Sequence, residues 1–138
     1  MDDLMEYLKK ICIKNGIRVI FETRLSPFTP SSASLEKRCI VINTKWHNRK
    51  EVPLQFAHEI GHILEGSSYE LAFYHANYSN HSKTEKVANV GALKLLLKYA
   101  NDNDIPINNI AQFMDSFGIP SPLIETVQET LHDYIANK

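Results

Sequence analysis

The 138-residue sequence predicts a single α+β domain in which a short antiparallel sheet packs against helices and a metal ion is held between two of them. Three observations carry this expectation. Two short runs rich in β-branched residues, 17–21 and 39–42, lie ahead of a series of longer segments whose apolar residues recur at helical spacing. Residues 58–62 read His-Glu-Ile-Gly-His, and on a helix that spacing puts both histidines on one face, four positions apart. The chain is long enough for one core and too short for two, so any metal centre must be built into that core. Residues 1–138 are therefore taken as one domain, with 101–138 as an acidic helical lobe.

The first element spans residues 2–14, where Leu4, Leu8, Ile11 and Cys12 share a face and Asn15-Gly16 supplies the stop. The two strands follow, separated by a Pro/Ser-rich stretch, 26–34, suited to a loop. Lys50-Glu51-Val52-Pro53 reads as a helix start, because a proline in the first turn lacks only an N–H that would be unpaired anyway. In this helix Phe56, Ile60, Ile63 and Leu64 form an apolar stripe, Gln55, His58, His62 and Glu65 fall on another face, and Gly66 ends it. Gly61 costs about 1 kcal/mol relative to Ala in a helix, so a neighbouring backbone or a substrate is expected to pass close by. Residues 66–81 read as loop. Ser82-Lys83-Thr84-Glu85 has capping-box form and opens a long helix to about residue 100, with Val87, Val90 and Leu97 on one side and Ala88, Ala92 and Leu95 on another. Two shorter helices, 107–117 and 121–136, are joined by Gly118-Ile119-Pro120-Ser121.

A hydrophobic fraction of 43%, a charged fraction of 22% and a net charge of −1 are those of an ordinary globular protein, and predict neither nucleic-acid nor membrane binding. The distribution of charge says more. Residues 1–100 carry 14 basic and 10 acidic side chains, whereas 101–138 carry one basic and six acidic. The last two helices have a helix-turn-helix outline, which raises a DNA-binding module as an alternative, but a DNA reader neutralises phosphates with Lys and Arg and this segment has only Lys138. The acidic, amphipathic start, Met-Asp-Asp-Leu-Met-Glu-Tyr-Leu, has no basic leader or long apolar run, so a cytoplasmic location is expected. Cys12 and Cys39 lack C-x-x-C spacing and are expected to be reduced core residues.

A shuffled chain of this composition would contain H-E-x-x-H about 2 per cent of the time, so the helix flanking the motif is needed to support it. With that support, residues 58–62 have the geometry of a zinc-dependent hydrolase: two histidine ligands, a glutamate aimed at the metal's water, and a third protein ligand still to be found. Glu65, Glu70, His75, His81 and Glu85 are the candidates. A metzincin is excluded, because its glycine and third-histidine positions are Glu65 and Ser68 here. A carboxylate from a separate downstream helix is the other arrangement, and Glu85 opens one, with Ala88 and Ala92 keeping its face small enough to approach Gly61. The competing role for Glu85 is the capping box itself. Tyr69, Tyr74, His75, Tyr78 and His81 are close enough in sequence to stabilise an oxyanion. The strand at 39–42 could present an edge to an extended peptide.

His58-Glu59-Ile60-Gly61-His62-Ile63-Leu64, followed by Glu85-x-x-Ala88-Asn89-x-x-Ala92-x-x-Leu95-Leu96, resembles the ImmA/IrrE family of zinc metallopeptidases, whose second motif has the form E-x-x-A-N-x-F-A-x-x-L-L. The likeness extends loosely over residues 15–135. It implies a small zincin-like fold, one Zn2+ held by His58, His62 and Glu85, Glu59 as the catalytic base, and Asn89 as a supporting residue. The family's phenylalanine is Gly91 here, a departure that bears on packing more than on chemistry. The resemblance further implies a regulatory protease that cleaves a basic helix-turn-helix repressor and so releases phage, mobile-element or stress-response genes; a non-proteolytic antagonist of such a repressor is the alternative. Asp115, Glu125, Glu129 and Asp133 are the candidate docking residues for that partner.

Overall fold

A computed structural model describes residues 2–65 and 78–137, with the side chains of Asp2 and of residues 78–82 outside the description. Helix α1 (Asp2–Lys14) buries Leu4, Leu8 and Cys12, as its spacing predicts. It stops where Gly16 takes φ +67° and the Ile17 amide returns to the Cys12 carbonyl at 2.9 Å, a left-handed cap that glycine adopts without a Cβ clash. Strands β1 (Arg18–Glu22), β2 (Ser32–Ser34) and β3 (Cys39–Asn43) form one sheet in the order β1-β3-β2.

The sheet is mixed, which corrects the expected antiparallel pairing. β1 and β3 run parallel, with Val19 opposite Ile40 and Phe21 opposite Ile42, and only β2 runs antiparallel to β3. The connection after β1 crosses to the far side before β2 forms, so β3 re-enters between the two. Asn43 fixes that crossing. Its buried amide donates to the Ser26 and Thr29 carbonyls at 2.8 and 2.6 Å, and its backbone N–H donates to Ser31 Oγ at 2.9 Å. β2, Ser-Ala-Ser, has no strand signature of its own and exists through its pairing with β3. A second correction follows: β3 is the central strand, so it has no edge to offer a peptide, and the sheet's edges are β1 and β2.

A short 3₁₀ turn, Arg49–Glu51, capped by Asn48 Oδ1 accepting from the Lys50 amide, leads into α2 (Val52–Glu65). Phe56, Ile60 and Ile63 are buried in the core together with Ile40 and Ile42 of the sheet and Leu8 of α1. Leu64, expected in this stripe, is 40% exposed. Helix α3 (Tyr78–Asp102) begins four residues earlier than expected. Ser82 therefore lies inside the helix and cannot cap it, which removes the competing role for Glu85. The buried face of α3 is Ala88, Ala92, Leu93, Leu96, Leu97 and Ala100, whereas Val87 is 44% exposed.

Helix α4 (Ile110–Ser116) is capped by Asn109 Oδ1 accepting from the Gln112 amide, and after a 3₁₀ turn at Ser121–Leu123 the chain ends in α5 (Ile124–Ala136), which packs on α3 through Val127 and Leu131. Gly118, in the turn between them, has φ +64° and lies directly against the Lys50 carbonyl, where a Cβ would collide with backbone. Cys12 and Cys39 are free thiols and buried, as expected. Among the described residues no helix is long and apolar enough to cross a membrane.

Candidate metal centre

The two histidines point from α2 toward α3. Their ligating atoms and that of Glu59 all lie within 4.8 Å of one another, a group that could hold a metal ion. From α3, Glu85 reaches across with one carboxylate oxygen on each imidazole: Oε2 is 3.0 Å from His58 Nε2 and Oε1 is 3.0 Å from His62 Nε2. Tetrahedral zinc with bonds of about 2.0–2.2 Å spaces its N and O ligands roughly 3.3 Å apart, close to the two N···O separations that Glu85 makes here. Neutral imidazoles and an ionised carboxylate are also the chemistry such an ion requires.

Close approach of the two helices makes this reach possible. A Cβ placed on Gly61 would stand 2.5 Å from the Ala88 carbonyl oxygen, and one on Gly91 would stand 3.3 Å from the Gly61 Cα. The expectation at Gly61 is met by a neighbouring backbone. Gly91 was set apart in sequence only as a departure from the family motif, and packing gives it a purpose, since a phenylalanine there would have to displace both Gly61 and Glu65.

His58 is held from behind by Asn89, whose Oδ1 lies 2.7 Å from His58 Nδ1. Asn89 sits one helical turn after Glu85, so a single face of α3 supplies both the carboxylate on Nε2 and the acceptor on Nδ1. An acceptor at Nδ1 fixes a proton there, so Nε2 binds a cation once it gives up the proton it shares with Glu85. Removing it should loosen the ring: Asn89→Ala is expected to lower metal affinity about 10–100-fold with the fold intact, read by competition with a chromophoric chelator. Unchanged affinity would mean that Asn89 does not orient the ligand.

Electrostatics separate the two glutamates. Hydrogen bonds from His58 and then His62 hold the Glu85 carboxyl well below the usual carboxylate range. Burial pushes Glu59 up to about 7, against the opposing pull of His58 and His62. Burial also works to lower His58, but the hydrogen bond to Glu85, the charges of Glu59 and Glu85 and the contact with Asn89 outweigh it and raise its pKa. Glu59 is 6% exposed, and its Oε2 has no hydrogen-bond partner among the described residues. A buried carboxylate oxygen left without a partner costs about 1–3 kcal/mol or more, which marks a group kept for a task.

The remaining site expectations divide. Glu65 is exposed at the end of α2, with its chain against Gly91 and not in the donor set. Glu70, Tyr69, Tyr74 and His75 lie outside the described residues; Tyr78 and His81 lie in the first turn of α3, with side chains outside the description. Helical spacing puts Gln55 on the histidine face but gives it no role; its Oε1 accepts from the Ser31 amide at 3.3 Å and ties the approach to β2 to that face of α2. Its place three residues before His58 was the available signal. Comparison of the chain with protein-family models, curated proteins and solved structures finds no match.

Proposed function

We propose that this protein is a zinc metallopeptidase of the ImmA/IrrE type, with His58, His62 and Glu85 holding the ion and Glu59 acting as general base. The observation that carries the reading is the pairing of a three-donor set with a buried, partnerless carboxylate oxygen beside it. Structural metal sites have no use for such a group; hydrolytic ones do. Zinc bound there would supply Lewis acidity and would lower the pKa of water from 15.7 to about 7. Glu59 takes the proton from the attacking water and delivers it to the leaving amine, a role served by a pKa near neutrality. Asn89 keeps the His58 imidazole oriented, and β2, the edge whose preceding residue Ser31 is tied to α2 through Gln55, is the strand on which an extended substrate segment would pair.

The proposed substrate is a basic helix-turn-helix repressor, supported by the motif resemblance and by the acidic C-terminal surface. Asp115, Glu125, Glu129 and Asp133 are all exposed, but Asp115 lies 3.8 Å from Lys50 and Glu129 lies 3.5 Å from Lys86. Glu125 and Asp133 are thus the better pair for docking. Replacing both with lysine should slow cleavage of the repressor by roughly three- to tenfold at low salt and flatten its salt dependence, while hydrolysis of a short peptide spanning the site stays unchanged. Slowing of both substrates would assign these residues to the fold. Relief of repression with no cut in the repressor would replace the protease with a binding antagonist.

A further inference from the structure

The two edges of the sheet are unlike. β2 is three residues of Ser-Ala-Ser, long enough for a short substrate segment and too short to join two sheets. β1 is five residues, Arg-Val-Ile-Phe-Glu, and its middle carries none of the charges, prolines or bulges that discourage pairing. Its hydrogen-bonding groups fall into two sets. The Arg18 amide donates to the Arg38 carbonyl and the Glu22 carbonyl accepts from the Thr44 amide, so residues 18, 20 and 22 turn their backbone groups toward β3. Val19 and Phe21 consequently direct theirs outward, away from the sheet. Ile20 and Phe21 are 47% and 38% exposed.

β1 is self-complementary in the antiparallel sense. Turned about Ile20, Arg18 of one strand meets Glu22 of the other at both ends, Val19 meets Phe21 in the hydrogen-bonded positions, and Ile20 meets its own copy. The Glu22 carboxylate has room for the second arginine. Its Oε2 accepts from the Thr23 and Arg24 amides and Arg24 Nε, but Oε1 takes a single donor, Arg24 Nη2 at 2.8 Å, and an ionised carboxylate oxygen accepts more than one.

We propose that β1 pairs with β1 of a second copy of this chain, joining two three-stranded sheets into one six-stranded sheet across a two-fold axis at Ile20. Four backbone hydrogen bonds, two from each Val19–Phe21 pair, and two Arg18–Glu22 ion pairs hold it. The interface lies on the edge opposite β2, the side that Ser31 and Gln55 tie to the histidine-bearing helix.

The test uses the full chain. Analytical ultracentrifugation at sub-millimolar concentration should show a dimer, and Ile20→Lys, which sets like charges against each other at the axis, should weaken it by roughly tenfold or more without changing the circular dichroism. Ile20→Cys should cross-link to a dimer under mild oxidation, because the two new thiols face one another, whereas Ile13→Cys, 78% exposed on α1, should not. Cys12 and Cys39 are buried and do not compete. A wild-type chain that stays monomeric overturns the proposal. So does a dimer that survives Ile20→Lys and fails to cross-link through Ile20→Cys, since its interface would lie elsewhere.

Discussion

Glu59→Gln is expected to bind zinc as wild type does while hydrolysis falls by about 10²–10⁴-fold, the range for loss of a positioned general base. The substitution keeps the side chain's size and removes only its ability to take a proton. It also reports on a cost built into the site. Because burial raises the folded-state pKa of Glu59 from 4.5 to about 7, the wild-type protein loses stability as pH rises through that window. Complete ionisation costs on the order of 3 kcal/mol. Glutamine does not ionise, so after chelator treatment the variant should be the more stable protein at about pH 8 and little different near pH 4. Thermal denaturation at the two pH values, alongside a peptide-cleavage assay, measures both effects. Wild-type activity in Glu59→Gln would remove this residue from the mechanism.

Gly61→Ala should cost more than any comparable small change on these helices. The new methyl would stand 2.5 Å from the Ala88 carbonyl oxygen and 3.2 Å from both the Ala88 carbonyl carbon and Cα, all backbone atoms that move only if α3 moves. Overpacking of this kind costs about 1–3 kcal/mol, offset by about 1 kcal/mol from alanine's better helix propensity. The displacement carries a second consequence, because Glu85 and Asn89 flank Ala88 on α3 and retreat with it. Metal affinity should therefore fall along with the denaturation midpoint. Gly91→Ala is the control: its methyl meets chiefly the flexible Glu65 side chain at 3.2 Å, with the Gly61 Cα at 3.3 Å, and the cost should be smaller. Equal stability of Gly61→Ala and wild type would show that the helices are not pinned at this contact.

Much of this arrangement was legible in the sequence because it rests on local periodicity. The helices that carry the site, the positions of β1 and β3 to within a residue, and the close approach at Gly61 follow from spacing and from the penalty for glycine in a helix. The topology of the sheet was not legible. Nothing local distinguishes a hairpin from a chain that crosses and returns, and the crossing is enforced by Asn43, whose side chain works over 14 and 17 residues of sequence. The start of α3 was misplaced for a related reason. Ser82-x-x-Glu85 has capping-box form, but the helix extends past it to Tyr78, and Glu85 is drawn instead to His58 and His62. Asn89 shows the same limit from the other side: its motif position was visible, its grip on the far nitrogen of His58 was not.

The central claim is that α2 and α3 share one metal ion, and metal content per chain tests it most directly. Elemental analysis of purified wild type at about pH 7.5 should give one zinc, with most of it lost in His58→Ala, His62→Ala and Glu85→Ala and retained in Glu65→Ala. Since His58 must shed its proton to bind, and its pKa is raised, affinity should fall as the pH drops through that value. Full metal in Glu85→Ala, or none in the wild type after zinc loading, would contradict the account.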